Sequence, residues 1–482
     1  MGQPLSRRVS GAWPALVGGL LPVLFIPISV DAYILPRVLV LLGGGAAGLW
    51  LLLLGRRGGP AGSLGSLALP CLAVVLAALL ALVASVNRWT SLAGAYLRYE
   101  SFPVRTGYVL LFCVAVWLLD GERDRRRALT WFLLGCGVCS LEAVWEWYAY
   151  ERGLAFGLAR PDGNLGNAGL LGGLLAMAVP IALWRALDGG VRRPAWLLLL
   201  LVLAAGLLVS TERAGWLAAL VACGVVVLAW VPRRWRAVAS AAAICALLAG
   251  GAVVAGPLGE LHSDPLVVRL KLWSLVLPMV QARPLLGWGE DTFGLVFGPY
   301  SHGYLTGVVF DRAHSQVLDL AVAQGLVGVA AAVWFWVALA WGLRGRWRLE
   351  EAPALVGALL GYGLWAVVNF DWVPVTGPAW LLAGVLWSVG PRRASSPDGR
   401  AGLARPLRST VGALATVAAI AFGVLPVLAD SAYFRGDLRL AVRLDPIQAR
   451  YHSALADQLE AEGDSEGAGV ERRRASELGS QP

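Results

Sequence analysis

The stretch NAGLLGGLLAMAVPIALWR, Asn167 to Arg185, decides the fold class. From Ala168 to Trp184 it contains no charged side chain, and about 20 such residues cross the ~30 Å hydrocarbon core of a bilayer as a helix. The chain repeats this pattern throughout: of its 482 residues, 58% are hydrophobic and only 15% are charged. A soluble domain of this length would need far more polar surface. The sequence therefore predicts an all-α, polytopic membrane protein.

Apolar runs separated by glycine, proline and arginine predict about 13 transmembrane helices. The predicted spans are 12–30, 35–54, 66–86, 104–119, 129–149, 167–185, 195–210, 214–231, 237–256, 315–343, 353–370, 376–390 and 409–429. We expect a multi-span membrane domain over 1–408 with a large extracytoplasmic loop at 257–314, a further transmembrane helix at 409–429, and a helical tail at 430–482. The first run lacks a small-x-small cleavage site, so we interpret it as a retained helix.

The net charge of +9 comes almost entirely from arginine, and its distribution argues against a nucleic-acid partner. The arginines lie in short clusters between apolar runs, as the positive-inside rule predicts for cytoplasmic loops. With the N-terminus inside, 22 arginines fall in inside loops and seven in the short outside loops. This ratio predicts that the 257–314 loop and the tail face the outside.

The cysteines predict neither a disulfide framework nor a metal site. All six lie inside apolar runs, at Cys71, Cys113, Cys136, Cys139, Cys223 and Cys245. Such positions are typical of small packing residues. The chain also lacks an Asp-x-Asp motif or a His/Cys cluster, so no metal and no cofactor is predicted.

Several basic residues are predicted to share the outer face, where arginine is otherwise scarce. They are Arg160, Arg213, Arg269, Arg283, Arg312 and His314. A guanidinium matches phosphate oxygens in shape and charge, and one about 4 Å from a phosphate gains ~4 kcal/mol at an effective dielectric near 20. A histidine is suited to general-base work near neutral pH. The pattern favours an enzyme acting on a lipid-linked phosphate or pyrophosphate.

Structural roles compete with this interpretation. A single histidine at a helix start is more often a cap or a surface residue, and a single outside arginine is usually an interfacial anchor or an ion-pair partner; Arg88, Arg105 and Arg152 are interpreted in that way. Glu142 and Glu146 share one face of the fifth span, where acids are a functional hypothesis by default but equally suit pairing with a buried arginine. The 22 tryptophans mostly indicate interfacial belts.

The tail contains one helix–turn–helix pattern. We expect one helix to end near Leu444, a second to start after Asp445-Pro446, and a turn at Gly463-Asp464 to lead into a third. The spacing resembles a single tetratricopeptide repeat. Because one repeat cannot bury its own face, we expect it to pack on the membrane domain, a second copy or a protein partner.

Four motifs occur in order: GNLGNAGLLGG (163–173), STERAGW (210–216), RLKLWSLVLPMVQARPLLGWGEDTF (269–293) and RAHSQVLDLAVAQGLVG (312–328). With the segment GAYLRYES around Arg98, they resemble the O-antigen ligase and polymerase (WaaL/Wzy-like) superfamily of membrane glycosyltransferases. The resemblance covers roughly residues 90–390. Three positions depart from the family pattern: Asn167-Ala168-Gly169 replaces Asn-Pro-Asn, Glu212 replaces a serine, and Ser315 replaces an asparagine.

The resemblance implies a metal-independent, inverting transfer of a glycan from undecaprenyl pyrophosphate to an acceptor hydroxyl. It implies a multi-pass protein of the bacterial cytoplasmic membrane, with the active site on the extracytoplasmic side and a glycan, lipid or protein as acceptor. By this resemblance, Arg213 and Arg269 would bind the pyrophosphate leaving group, and His314 would accept the proton of the acceptor hydroxyl. Arg98, Arg160 and Arg312 are further candidates for phosphate contacts, and Asp371 for orienting a base or acceptor.

Two other classes of function compete. A flippase or transporter of lipid-linked glycans would place charge along a central path and show an internal pseudo-repeat, and the sequence shows neither clearly. A non-catalytic scaffold that recruits partners through the tail leaves the outside arginines unexplained. Within the family the sequence does not choose between ligase, polymerase and protein O-glycosyltransferase. Gene neighbourhood would indicate a polymerase, and in vitro transfer from a labelled undecaprenyl-pyrophosphate glycan would identify the acceptor.

Overall fold

A computed structural model of the chain describes residues 5–54, 62–119, 121–235, 266–303, 310–390 and 405–479. Within these ranges the secondary structure is helical and contains no strand. The helices are α1 (Leu5–Val23), α2 (Ile34–Leu54), α3 (Ala68–Ala84), α4 (Arg88–Ala93), α5 (Phe102–Leu118), α6 (Glu122–Glu151), α7 (Ala168–Asp188), α8 (Arg193–Val209), α9 (Arg213–Trp230), α10 (Leu266–Ala282), α11 (Phe293–Val296), α12 (Gly298–Ser301), α13 (Gln316–Gly342), α14 (Ala352–Val367), α15 (Val373–Trp387), α16 (Arg405–Ala419), α17 (Leu425–Phe434), α18 (Leu438–Leu444), α19 (Ala449–Ala461) and α20 (Ser465–Glu477). A short π-helical segment, Ile420–Val424, joins α16 to α17.

The polytopic helical bundle is confirmed. Among the described residues, seven helices are long and apolar enough to cross a membrane: Ile34–Leu54, Gly65–Ala84, Glu122–Glu151, Ala168–Asp188, Arg213–Trp230, Gln316–Gly342 and Ser409–Phe434. Five shorter apolar helices coincide with further predicted spans: Ala12–Val23, Phe102–Leu118, Arg193–Val209, Ala352–Val367 and Val373–Trp387. The predicted span 237–256 lies outside the described residues. The predicted first span, 12–30, extends too far toward the C-terminus. Its apolar run continues to Val30, but helix α1 ends at Val23.

The centre of the bundle is formed by α7 and α15. Helix α7 is buried from Ala168 to Ala182, and α15 is buried from Val373 to Leu386. Helix α9 comes unusually close to α7, since a Cβ atom on Gly215 would lie 2.8 Å from the carbonyl oxygen of Gly172. Small residues permit such close packing of membrane helices. The contact holds the beginning of α9 beside the beginning of α7.

The connections between helices lie alternately at two ends of the bundle. At one end, which we name the tail end, Arg37 donates to the Asn164 side chain over 2.6 Å. At the opposite end, Arg125 forms an ion pair with Glu350. The tail end carries the connections 24–33, 85–101, 152–167, 210–212, 310–315 and 368–372. All seven of the site residues predicted from the sequence lie in or next to these connections, with Arg269 brought there by α10.

Helix α13 is interrupted at Gly325, where φ is +65°. The turn at 284–289 supplies hydrogen bonds to the backbone there: Trp288 N–H to Val322 O (2.8 Å), Gly289 N–H to Ala323 O (3.0 Å) and Leu326 N–H to Pro284 O (2.7 Å). Irregular backbone at membrane depth is stable only where protein groups satisfy it in this way. The Pro-Leu-Leu-Gly-x-Gly turn thus ties the end of α10 to α13.

The C-terminal tail packs on the membrane domain at the tail end. Buried Asp430 accepts hydrogen bonds from the Ser29 hydroxyl (2.5 Å), the Asp31 N–H (2.7 Å), the Tyr96 hydroxyl (2.6 Å) and the Tyr451 hydroxyl (3.1 Å). Asn87 also donates to the Glu477 carbonyl over 3.0 Å. The tail therefore finds its partner surface within the same chain. Its identity as a tetratricopeptide repeat stays a prediction.

Candidate active site

A cavity of about 100 Å³ lies at the tail end, where α7 and α9 begin and where the chain enters α13. It is lined by Arg160, Asn167, Gly169, Leu170, Glu212, Arg269, His314, Trp365, Asn369 and Phe370. We name it the histidine pocket. It brings together three of the predicted site residues, Arg160, Arg269 and His314, from regions far apart in the sequence.

The backbone before His314 is fixed on both sides. The N–H of Ala313 donates to Asp319 over 2.7 Å, and the carbonyl of Ala313 accepts from the Trp273 indole over 2.9 Å. His314 itself adopts φ +51°, a left-handed conformation that is costly for most residues. Its half-buried ring meets Phe370 edge-on, with ring centres 5.2 Å apart. These contacts direct the imidazole into the pocket. Ser315, at the departure from the family pattern, occupies the N-cap position of α13.

Arg269 reaches the pocket from α10. Arg269 and Trp273 are four residues apart, so they lie on one face of the helix. Because Trp273 bonds to Ala313, this face is turned toward the segment that carries His314. The Arg-x-x-x-Trp spacing thereby places a guanidinium and an imidazole in the same cavity.

Glu212 lines the pocket, although in the sequence it stands out only because it replaces the serine of the family pattern. Its buried carboxylate lies 3.5 Å from the Arg160 guanidinium and 3.4 Å from the Asn369 amide nitrogen. The signal that could have found it is a charged side chain in a connection of three residues between two apolar helices. The carboxylate partly offsets the two arginines, so the pocket carries a formal charge of about +1 with neutral histidine.

Arg213 is placed differently from the expectation. It is the first residue of α9 and is half-buried, but it is not among the residues that line the pocket, where its neighbour Glu212 stands instead. The structure thus brings Arg213 next to the pocket without placing it in the wall.

A second cluster of charged residues is buried at the same end, around Arg105. Its guanidinium pairs with Asp371 and lies 3.6 Å from Glu100 and 3.4 Å from Glu290. Asp371 also accepts from the Tyr362 hydroxyl over 2.7 Å. Asp371 is therefore an ion-pair partner in this cluster and is absent from the pocket wall. Arg105, interpreted from the sequence as an anchor or ion-pair partner, is the residue on which the cluster centres.

Arg312 belongs to the same cluster. It is buried and forms an ion pair with Asp291, whose other oxygen accepts from the N–H groups of Ala95 and Glu100 over 2.8 and 3.0 Å. Asp319 is buried close by in the first turn of α13. We name this set, Glu100, Arg105, Glu290, Asp291, Arg312, Asp319 and Asp371, the buried network. Two predicted substrate contacts, Arg312 and Asp371, are thus already engaged by carboxylate or guanidinium partners.

Arg98 lies between the two clusters. It pairs with Asp311, its guanidinium carbon is 4.3 Å from the ring centre of Trp372, and it is 5.5 Å from that of Phe370. Cation–π contacts of this kind hold an arginine in place. Arg98 therefore touches the same phenylalanine as His314, from outside the pocket.

The pKa of Glu100 reflects its burial in the network. Burial raises the pKa of this carboxyl from 4.5 to about 7, against the attraction of Arg105, which lowers it. Glu100 also accepts from the Tyr108 hydroxyl over 2.5 Å. Within the described ranges no group of three or more histidine, cysteine, aspartate or glutamate side chains is arranged to hold a metal ion.

Residues 197–333 match the family described as O-antigen ligase. This segment is similar to O-antigen ligases. The resemblance to the ligase and polymerase superfamily is confirmed over this segment, which contains three of the four motifs, and it supports a multi-pass membrane enzyme of that general type. No curated protein matches the chain.

The matched segment contains Arg213, Arg269, Arg312 and His314. Arg160, Asn369 and Phe370 reach the histidine pocket from outside it. The pocket is therefore completed by residues on both sides of the matched segment.

Proposed function

We propose that the protein transfers a glycan from undecaprenyl pyrophosphate to an acceptor hydroxyl at the outer face of the bacterial cytoplasmic membrane. The observation that carries the proposal is the joint presence of Arg160, Arg269 and His314 in one cavity. Its limited volume suits a diphosphate group, while the lipid chain and the glycan extend outside it.

Helix ends add to the attraction for an anion. Asn167 precedes α7, Glu212 precedes α9, and His314 lies two residues before α13. The first N–H groups of each helix lack intrahelical partners and carry partial positive charge. Phosphate groups bind readily at such positions. Three helix N-termini with two arginines thus favour a pyrophosphate over an uncharged group.

The proposed reaction proceeds by direct displacement at the sugar. The acceptor oxygen forms a bond to the anomeric carbon as the bond from that carbon to the pyrophosphate oxygen breaks, so the configuration inverts. His314 accepts the hydroxyl proton, and undecaprenyl pyrophosphate leaves as the anion. Arg160 and Arg269 stabilise the charge that develops on the leaving oxygen. Arg213, beside the pocket, adds positive charge to the same side.

The sidedness follows from the arginine distribution in the sequence. The opposite end of the bundle carries Arg125, Arg126 and Arg185, which fall in loops predicted to be cytoplasmic. The histidine pocket lies at the tail end and would face outward, where glycans attached to lipid are displayed. The acceptor is a glycan, a lipid or a protein.

A purified transfer assay tests the proposal. The protein in lipid nanodiscs receives a fluorescent undecaprenyl-pyrophosphate glycan and candidate acceptors, and the products are separated by mass. We expect release of undecaprenyl pyrophosphate together with a glycosylated acceptor that gains no phosphate from the donor. An acceptor that gains donor phosphate with the glycan, or wild-type protein that yields no product with any acceptor, would contradict the proposal. Arg283→Ala, an exposed substitution outside the pocket, serves as the control for Arg160→Ala.

A further inference from the structure

A larger cavity, of about 480 Å³, lies between the C-terminal tail and the membrane domain. Its volume is within the range of small-molecule sites. The membrane domain contributes Thr90, Arg98, Asp311 and Arg312 to its wall, and the tail contributes Gln448, Arg450, Ser453 and Gly479. We name it the tail cavity. The proposed transfer at the histidine pocket leaves this cavity without a role.

The tail half of the wall is held in place by hydrogen bonds to the membrane domain. Thr90 donates to the Leu478 carbonyl over 3.1 Å, and buried Gln448 donates to the Gly94 carbonyl over 3.4 Å. On the other side, Arg98 and Arg312 are fixed by their ion pairs with Asp311 and Asp291. The tail cavity is therefore a built site whose shape depends on the docked tail.

The tail cavity and the histidine pocket are separated by one layer of side chains. Arg98 lines the tail cavity and lies 5.5 Å from the ring centre of Phe370, which lines the histidine pocket and contacts His314. The segment 311–314 borders both cavities, with Asp311 and Arg312 on one and His314 on the other. A molecule whose reacting end is at His314 would reach the tail cavity a short distance further on.

The chemistry of the wall indicates the kind of ligand. Guanidinium, carboxylate, amide and hydroxyl groups supply many donors and acceptors, as hydroxyl-rich ligands require. Three arginines against Asp291 and Asp311 leave a formal charge of about +1, which suits neutral or acidic sugars. Arg450, on the rim, lies 3.2 Å from the Tyr433 hydroxyl and forms no ion pair among the described residues.

We propose that the tail cavity binds carbohydrate: the sugars of the donor or acceptor glycan that lie beyond the reacting bond. This inference rests on the proposed transfer at the histidine pocket and gives the tail a role in substrate binding. The donor glycan and the acceptor glycan share the same chemistry, so the experiments below separate the two sources.

Binding is tested first, without turnover. The probe is the free oligosaccharide of the natural repeat, released from its lipid, and tryptophan fluorescence of the full-length protein in nanodiscs reports binding. Ser453→Trp fills the cavity and Arg450→Glu reverses the rim charge, and each should weaken binding at least tenfold. Ser465→Trp and Arg443→Glu, at exposed tail positions away from the cavity, should bind as wild type does. Unchanged binding in both cavity variants, or a wild-type protein that binds free undecaprenyl phosphate there but no oligosaccharide, overturns the inference.

Transfer kinetics then identify the source of the sugars. Donors with one or three sugars are compared at fixed acceptor, and acceptors with one or three sugars at fixed donor. In the cavity variants, KM should rise about tenfold for the three-sugar form of one substrate, while the one-sugar form keeps its wild-type KM. The affected substrate is the one that occupies the cavity. Equal KM for all four substrates in variant and wild type overturns the inference. Absence of transfer by wild type would instead count against the proposed function, and the binding result would still stand by itself.

Discussion

Two clusters of charge lie at the same end of the bundle, and their composition differs. The buried network sets two arginines against five carboxyl groups, Glu100, Glu290, Asp291, Asp319 and Asp371. The histidine pocket sets two arginines and a histidine against one carboxylate, Glu212. An incoming phosphate would be repelled by the first and attracted by the second. From the sequence, members of both clusters were predicted as residues that contact the substrate.

The acid around an arginine separates structural from functional arginines in such a bundle. A buried arginine surrounded by carboxylates holds helices together, because its removal leaves those charges without compensation. An arginine in the wall of a cavity with few acids can act on a ligand. The following substitutions test this division, beginning with the largest effect.

Arg105→Ala should prevent accumulation of folded protein. It removes the central cation from Asp371, Glu290 and Glu100, and breaking a buried pair typically costs about 3–5 kcal/mol. The free energy of unfolding is of similar size to this loss for many proteins. Membrane yield and size-exclusion profile give the measurement. Arg88→Ala, at an exposed position, is the control and should accumulate as wild type does; a monodisperse, stable Arg105→Ala protein would show that the network is not structural.

Glu100→Gln should flatten the dependence of stability on pH. In the folded protein the pKa of Glu100 is raised to about 7, so the folded state holds a proton that the unfolded state loses near pH 4.5. The stabilisation from Glu100 is thus complete below about pH 4.5 and is lost as pH rises through about 7, a change on the order of 3 kcal/mol. The apparent Tm between about pH 5 and pH 8 is the measurement. If the apparent Tm fell equally with rising pH in wild type and variant, the result would contradict the role of Glu100.

Arg269→Ala should lower kcat/KM for glycan transfer about 100-fold, the scale expected for losing one charged group that stabilises a leaving oxyanion. Since Arg269 lines the pocket and is outside the buried network, the Tm should stay close to that of wild type. Arg283 directly follows the same helix and is exposed, so the Arg283→Ala variant should retain transfer activity. A large fall in Tm with unchanged transfer per folded molecule would move Arg269 to the structural class.

Glu212→Gln should have the smallest of these effects, and it tests whether the charge of the histidine pocket sets its affinity for pyrophosphate. Removing this carboxylate makes the pocket more positive, so inorganic pyrophosphate should bind about fivefold more tightly, on the order of 1 kcal/mol. Calorimetric titration of the purified variant and wild type gives the comparison. Weaker binding in the variant would show that Glu212 orients Arg160 for the anion rather than opposing it.

Much of the fold was readable from the sequence, because the bilayer requires long uncharged helices. The prediction of a span at 167–185 corresponds to α7 at Ala168–Asp188, since asparagine and arginine mark its two ends. The first span was predicted too long because hydrophobicity alone does not report that the chain turns after Val23. The apolar pattern indicates burial in lipid, but it does not indicate where the backbone turns at the interface.

The site was readable only in part. Arg269 and His314 carry motifs of local spacing, and the structure brings them together. The pairing of Arg105 with Asp371 joins residues that are 266 positions apart, and no local pattern records such a contact. Arg312 could therefore not be distinguished from a pocket arginine. Glu212 was visible as an unusual residue, but its contact with Arg160 depends on how α9 packs on α7.

The most direct test of the central claim, that the histidine pocket performs the transfer, is the turnover of His314→Asn. Asparagine tolerates the left-handed conformation of this position but cannot act as a base near neutral pH. The matched control is His302→Asn, because exposed His302 has nearly the same φ, +49°. We expect kcat for transfer from the undecaprenyl-pyrophosphate glycan to fall roughly 1,000-fold in His314→Asn, with an unchanged Tm, and to stay at the wild-type value in His302→Asn. Near wild-type kcat in purified, folded His314→Asn would contradict the account.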